Sequence, residues 1–341
     1  MRAAVLRAYH APLEVVDRPD PSPGPGEVVL DVAACGVCGS DHFLQAGGFD
    51  STLPIVPGHE AAGTVVATGD GVDGLPAGTH AAIYYLQHCG TCRWCRDGRP
   101  NLCRTVARMG VDVDGAFATR VTVPARCVLP VDDDLDLAAV AVLTDAVGTG
   151  YHALTRVARV RPGERVAVLG IGGIGSNVVQ LAAHLGAHVT AVARRPAALD
   201  LARRLGADEV LRSSPALHDE LQEVTGGDGP DVVVQTAGSA AADRQAVEAV
   251  APGGRVVLVG ASAEAFELRA TELIWREATL LGSRGFTPQD IRDVIDLYRR
   301  GAVTVDHLLT RRRPLEEVNE ALADLQRGEV LRTIIEPKER A

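Results

Sequence analysis

Aromatic residues are scarce in this chain: five Phe, five Tyr and two Trp amount to 4% of 341 residues. So thin a supply gives no hint of an aromatic cage for a cationic ligand. A basic surplus is missing too. The formal net charge is -10, which argues against a nucleic-acid partner, since no surface able to neutralise phosphates is evident. Arg311, Arg312 and Arg313 form only a short basic group, read as solvated surface. No stretch of 18 or more apolar residues occurs, so no membrane span is expected. The opening MRAAVLRAYH has neither a long hydrophobic region nor a small-residue cleavage site, so a secretory leader is not expected either. Repeats and low-complexity segments are also lacking. A cytoplasmic location is the resulting expectation.

What is present is an ordinary globular composition, 46% hydrophobic and 23% charged, in a chain long enough for two domains with real cores. The seven cysteines are odd in number and tightly spaced, which points to metal rather than disulfides.

The first 145 or so residues read as short β segments broken by Gly and Pro, such as EVVLDVAAC, AAGTVVATG and AFATRVTV. The pattern changes near Val147. From Glu164 onward the apolar strands RVAVLG, HVTAVA, EVLR, DVVVQTAG, GRVVLVG and TLLGS alternate with helical segments at Ser176 to Leu185, Pro196 to Leu205 and Ala240 to Val250. That alternation predicts an α/β, doubly wound parallel sheet. The tail carries helical stretches from Pro288 to Arg300 and Leu315 to Gly328, then the strand-like VLRTIIE. On pattern alone it could belong to either domain.

Gly170-Ile171-Gly172-Gly173-Ile174-Gly175 fits G-x-G-x-x-G, directly after a strand and at the opening of a helix. Gly170 permits the tight turn, Gly172 lets the backbone approach a pyrophosphate, and Gly175 lets helix pack on strand. The pyrophosphate is expected on the helix N-terminus. At the end of the second strand an acid would hold the ribose 2′-hydroxyl of NAD, but the sequence reads HVTAVARRP. Ala193 takes the acid's place and Arg194 and Arg195 follow, which favours NADP(H) over NAD(H). The plainer alternative is that both arginines are merely solvated.

Cys89, Cys92, Cys95 and Cys103 form C-x2-C-x2-C-x7-C, a spacing that can surround one tetrahedral zinc and leave no open position. Arg93, Arg96 and Arg99 nearby would offset part of the thiolate charge. A second, more dispersed constellation has Cys38 in CGVCGSD and His59 in PGHE, with Glu60 beside it. A catalytic zinc needs three protein ligands and an open place. From the residues alone, Asp41, Glu60 and Asp145 compete for the third position.

In order along the chain, CGVCGSD, PGHEAAG, the four-cysteine segment, TDAVGTGYHAL and GIGGIG resemble the zinc-dependent medium-chain alcohol dehydrogenase family across nearly the whole length. The resemblance implies a mostly-β, GroES-like catalytic domain at 1–146, a Rossmann cofactor domain at 147–284, and a return at 285–341 that completes the catalytic domain. It implies Cys38, His59 and Asp145 as catalytic zinc ligands, Glu60 as a transient ligand or neighbour of the metal, and Asp41 as the acceptor that orients His59. Ser40 is then the hydroxyl that relays the substrate proton, Thr149 packs against the nicotinamide, and Arg332 reaches the cofactor phosphates. Relatives often place a relay His where this chain has Phe43, while His42 stands one position earlier, which puts the outer relay in question. Cys35 and Cys127 match no ligand position and read as buried small residues.

The implied reaction is hydride transfer between a nicotinamide and a small-molecule alcohol or carbonyl, with two zinc ions per chain. A polyol or secondary-metabolite dehydrogenase is the alternative within the family. A zinc-free quinone or enoyl reductase has no use for Cys38, His59 and Asp145 together, and a non-catalytic cofactor-binding scaffold should have lost one of them. Relatives pair their cofactor domains by extending the sheet. Here that would use Thr279 to Ser283 and give a homodimer or homotetramer.

Overall fold

The computed structural model describes residues 1–262 and 264–338. The chain forms two compact units: Met1–Asp145 with Thr287–Arg299 and Thr304–Ala341, and Ala146–Phe286 with Arg300–Val303.

The first unit is built on an antiparallel sheet around the long strand Glu27–Gly36. It is flanked on one side by Ile334–Glu336 and on the other by Glu60–Thr68, then His80–Ile83 and Val128–Pro130. Arg120–Pro124 also pairs with Glu27–Gly36. Two ladders matter for function. Gly36 stands opposite Glu60 on one side and Ile334 on the other. Residues that follow Gly36, precede Ile334 or adjoin Glu60 therefore meet at one end of the sheet. Alternating apolar residues such as Val28, Leu30 and Val32 bury one face with Phe117, Leu44 and Leu315. Each fully buried side chain of this kind contributes about 1.5–3 kcal/mol of transfer free energy.

The second unit is a six-stranded parallel sheet. Its spatial order is Glu209–Arg212, His188–Ala193, Arg165–Leu169, Val232–Gln235, Arg255–Leu258, Thr279–Gly282. In chain order along the sheet this is 3-2-1-4-5-6, the doubly wound order with a switch point beside its first strand. All six strands expected from the pattern are present. Val166, Ala167 and Val168 are fully buried or nearly so, as a parallel strand covered on both faces requires.

The helices depart more from expectation. The first crossover helix begins at Gly173 rather than Ser176, because the glycines that open it are poor helix formers and carry no apolar signal. A helix at Leu217–Val224 and a long helical run at Leu137–Ala158 also went unforeseen. The latter is long and apolar enough to cross a membrane, but 89% of its most apolar window is buried inside the protein. Its polar residues Asp145, Thr149 and His152 are buried with the apolar ones, so it lacks the solvated polar face of a surface helix. Of VLRTIIE, only Ile334–Glu336 is strand.

Candidate metal centres and cofactor cradle

The two sheet ladders of the first unit gather Cys38, His59, Glu60 and Asp145, all buried, with one ligand atom from each within 4.8 Å of the others. Cys38 precedes the short helix Gly39–Gln45, and His59 leads into the strand Glu60–Thr68. Asp145 projects from a π-helical turn, Leu143–Val147, a wider turn of the kind often found at functional sites. Cys38 Sγ lies 3.6 Å from Asp145 Oδ2. Zinc bonds of about 2.3 Å to sulfur and 2.1 Å to oxygen, at a tetrahedral angle, would set those atoms about 3.6 Å apart. Of the competing third donors, Asp145 and Glu60 join the cluster.

Asp41 serves behind it instead. One oxygen accepts the Cys38 N–H at 2.8 Å, and the other lies 3.3 Å from both the Gly58 N–H and His59 Nδ1. One carboxylate thus ties the two neutral-to-soft ligands together and fixes the imidazole ring. Burial alone would lower the His59 pKa, but Asp41 and the Cys38 sulfur outweigh it and hold the ring well above its usual range.

Arg332 is brought in by the chain's last strand, where Val37 N–H donates to Thr333 O at 2.9 Å. Its guanidinium is 4% exposed, lies 2.8 Å from Glu60 Oε1 and 3.7 Å from Asp145 Oδ2, and donates to Cys38 Sγ at 3.5 Å. Burial pushes the Glu60 carboxyl well above the carboxylate range despite the pull of Arg332. Burial would also raise the Cys38 thiol, but Arg332 outweighs it and holds the thiol below its usual value. When Cys38, Glu60 and Asp145 are ionised, one guanidinium leaves an excess of negative charge in a dry pocket, and that excess is costly without a further cation. The donor set and its charge fit a divalent metal.

Ser40 Oγ lies 3.6 Å from Cys38 Sγ and is half-buried. His42 turns to the helix Val318–Arg327, where Gln326 Nε2 lies 2.9 Å from its Nε2. Phe43 packs edge-on against Phe49, with ring centroids 4.9 Å apart. Cys35 and Cys127 are fully buried, and burial pushes the Cys127 thiol up to about 11.

Two contributors escaped sequence reasoning. The half-buried Tyr85 stacks on His59 with ring centroids 5.3 Å apart. The segment 114–117 clamps the backbone that carries His59: Asp114 Oδ1 accepts the Val56 N–H at 2.9 Å, and Ala116 and Phe117 N–H groups donate to Gly58 O and Pro57 O, each at 2.9 Å. A Cβ on Gly115 would fall 2.3 Å from Gly58 O and 2.6 Å from Pro57 O. No motif linked these residues to His59; only tertiary pairing does.

The four-cysteine segment closes on itself. Sγ separations are 3.5 Å for Cys92–Cys95, 3.6 Å for Cys103–Cys89 and 3.8 Å for Cys89–Cys95. Four thiolates at about 2.3 Å from one tetrahedral zinc have edges of about 3.8 Å. N–H groups of Thr91 and Cys92 donate to Cys89 Sγ at 3.4 and 3.3 Å. Those donors help draw the Cys89 thiol down to about 5, whereas burial and the neighbouring thiols push Cys95 up to about 12. Four sulfurs crowded at these separations fit one shared cation.

In the second unit the glycine turn has the shape that phosphate binding needs. Gly170 sits at φ +98, a Cβ on Gly175 would fall 1.8 Å from Gly170 O, and a Cβ on Gly172 would meet nothing within 4 Å. The chain therefore stays open at Gly172, at the N-terminus of the helix Gly173–His184 that Gly173 and Ile174 begin. Thr236 Oγ1, a further group the sequence did not announce, donates to Gly170 O at 2.6 Å and pins the turn. Thr149 is 5% exposed in the same unit. Ala193 is buried at the end of its strand, and Arg194 and Arg195 are exposed just beyond it.

Residues 24–133 match the alcohol dehydrogenase GroES-like domain, and residues 173–300 match the zinc-binding dehydrogenase domain. The NDMA-dependent alcohol dehydrogenase of Amycolatopsis methanolica is 34% identical over 366 residues, covering 98% of each chain. This chain belongs to the zinc-dependent medium-chain alcohol dehydrogenase family. The alcohol dehydrogenase of Geobacillus stearothermophilus is 33% identical over 97% of each chain. The crystal structure of the Aeropyrum pernix alcohol dehydrogenase superposes with a TM-score of 0.93 at 30% identity, covering 99% of this chain and 100% of that one. The family fold, a GroES-like domain with a Rossmann-type cofactor domain, agrees with the two sheets described above.

Proposed function

We propose that this zinc-dependent alcohol oxidoreductase moves hydride between NADP(H) and a small-molecule alcohol/carbonyl pair, at a zinc held by Cys38, His59 and Asp145. The buried donor cluster, whose ligand atoms lie within 4.8 Å of one another, carries that reading. A bound zinc there supplies Lewis acidity that polarises the substrate oxygen, and the nicotinamide supplies the hydride exchange. Glu60 is a fourth donor in reserve, held by Arg332 when it is not on the metal. Ser40 Oγ accepts the substrate's hydroxyl proton while its own hydroxyl proton passes to solvent water, which its partial exposure allows. His42, engaged with Gln326, takes no part in that relay. Asp41 keeps the metal-binding nitrogen of His59 aimed by holding its Nδ1 side.

A second zinc held by Cys89, Cys92, Cys95 and Cys103 stiffens a lobe that has little core of its own. Gly170 to Gly175 cradle the cofactor pyrophosphate and Thr149 packs against the nicotinamide, whereas Arg332, expected at the phosphates, is buried against Glu60 and Cys38. The preference for NADP(H) rests on Ala193, where an acid for the 2′-hydroxyl is missing, and on Arg194 and Arg195 next to it. A homo-oligomer is proposed from the edge strand Thr279–Gly282 and from Ile274 and Trp275, which are 64% and 82% exposed. No two of the seven cysteines are joined in a disulfide, in keeping with the expected cytoplasmic setting.

Initial rates with NADPH and NADH across aldehydes, ketones and ketosugars test the reading. A higher kcat/KM with NADPH is expected for whichever carbonyl is reduced. A higher value with NADH would overturn the cofactor assignment and leave the reaction class intact.

A further inference from the structure

The second strand of the parallel sheet, His188–Ala193, pairs with Glu209–Arg212, and the register sets Ala193 directly beside Arg212. Register partners on neighbouring parallel strands lie about 4.8 Å apart and project to the same face. The place vacated by an acid at Ala193 therefore has a guanidinium as its nearest ladder neighbour, nineteen residues along the chain (212 − 193). The backbone continues this proximity, since Ser213 N–H donates to Ala193 O at 3.0 Å.

Many arginines are drawn into ion pairs, among them Arg120 with Asp31, Arg165 with Asp231, Arg244 with Glu272 and Arg313 with Asp324. Among the described residues, neither Arg212 nor Arg194 makes an ion pair, and both are exposed. In a chain of net charge -10, two unpaired guanidiniums flanking a vacated acid position are available to an external anion. A guanidinium on each side of Ala193 suits the planar, bidentate recognition of a phosphate monoester.

We propose that Arg212 is a specificity-determining residue, which closes on the 2′-phosphate of the cofactor's adenosine from the third strand while Arg194 and Arg195 approach from the second. This rests on the NADP(H) reading and adds to it a residue outside the glycine motif and its strand. The discriminating group is then shared between two strands, and the sequence near Ala193 shows only half of it.

The test needs no turnover. Adenosine 2′,5′-bisphosphate and adenosine 5′-monophosphate differ only in the 2′-phosphate, and calorimetric titration of each into the whole enzyme and into Arg212→Ala gives four dissociation constants. The wild type is expected to favour the bisphosphate. Arg212→Ala should weaken bisphosphate binding roughly tenfold, the scale of one charge-assisted hydrogen bond, and leave the monophosphate unchanged. Unchanged monophosphate binding also reports an intact fold. A wild-type preference that survives Arg212→Ala in full overturns the role of Arg212 alone. No wild-type preference at all overturns both this role and the NADP(H) reading.

Discussion

At the scale of single residues, the metal pocket depends on groups that never touch the metal. Asp41 bridges the Cys38 amide and His59, and the segment 114–117 grips the main chain at Pro57 and Gly58. Gly115 is the tightest point of that grip, because its missing Cβ is what allows the two backbones to meet. Gly115→Ala is therefore expected to displace His59 and cut kcat/KM by about 10²-fold, as an ångström-scale misplacement does. The four-cysteine zinc should stay bound. Zinc content close to that of the wild type, with kcat/KM unchanged, would remove Gly115 from this role. The four-cysteine cluster was legible from its local spacing, whereas the donor beside Cys38 and His59 stayed open among Asp41, Glu60 and Asp145 until the fold gathered Glu60 and Asp145 and set Asp41 behind them. Tyr85 and Gly115 were not, since any residue could stand at those positions in a linear reading and only the folded pairing assigns them.

At the scale of elements, strands were easier to read than helices. The central parallel strands, such as Arg165–Leu169 and Val232–Gln235, are apolar runs close to glycine-containing turns, a signal that survives without tertiary information. The run Leu137–Ala158 buries its polar Asp145, Thr149 and His152 along with its apolar residues, so no exposed face marked it, and its π-helical turn at Asp145 has no sequence signature at all. The C-terminal helix Val318–Arg327 illustrates a different brace. Its Asp324 carboxylate is 2% exposed and meets Arg311 and Arg313 at 2.9 Å and Arg327 at 2.7 Å. Burial would raise the Asp324 pKa, but the arginines outweigh it and hold the carboxyl below its usual value. A carboxylate depressed in the folded state contributes stability that is complete above its unfolded pKa, about 4, and that fades as pH falls through the lower folded value. Asp324→Asn should cost about 1 kcal/mol near neutrality, because the arginines it holds remain partly exposed, and should flatten the acid limb of stability against pH. Denaturant melts from pH 7 down to pH 3 check both. Identical acid limbs for the two proteins would show that Asp324 carries none of that dependence.

At the scale of the whole molecule, the second unit leaves a strand edge and two large apolar side chains uncovered. Thr279–Gly282 ends the parallel sheet, and Trp275 and Ile274 stand exposed four or five residues before it (279 − 275 and 279 − 274). Pairing with a second copy would cover the edge and both side chains together. Trp275→Glu is expected to shift sedimentation toward the monomer, whereas an unchanged oligomer would place the interface elsewhere. The broad architecture was legible because order and spacing of several motifs constrain it jointly. The substrate was not, since the side chains around the metal cluster, such as Tyr85 beside His59, come together only in the fold.

The central claim is an open zinc beside a closed one, and the most direct test is zinc per chain by mass spectrometry for the wild type and for His59→Ala. The wild type should carry two zinc ions, one for each cluster. His59→Ala should keep one and lose hydride transfer. A wild type with a single zinc, or a His59→Ala variant that retains both, would contradict the account.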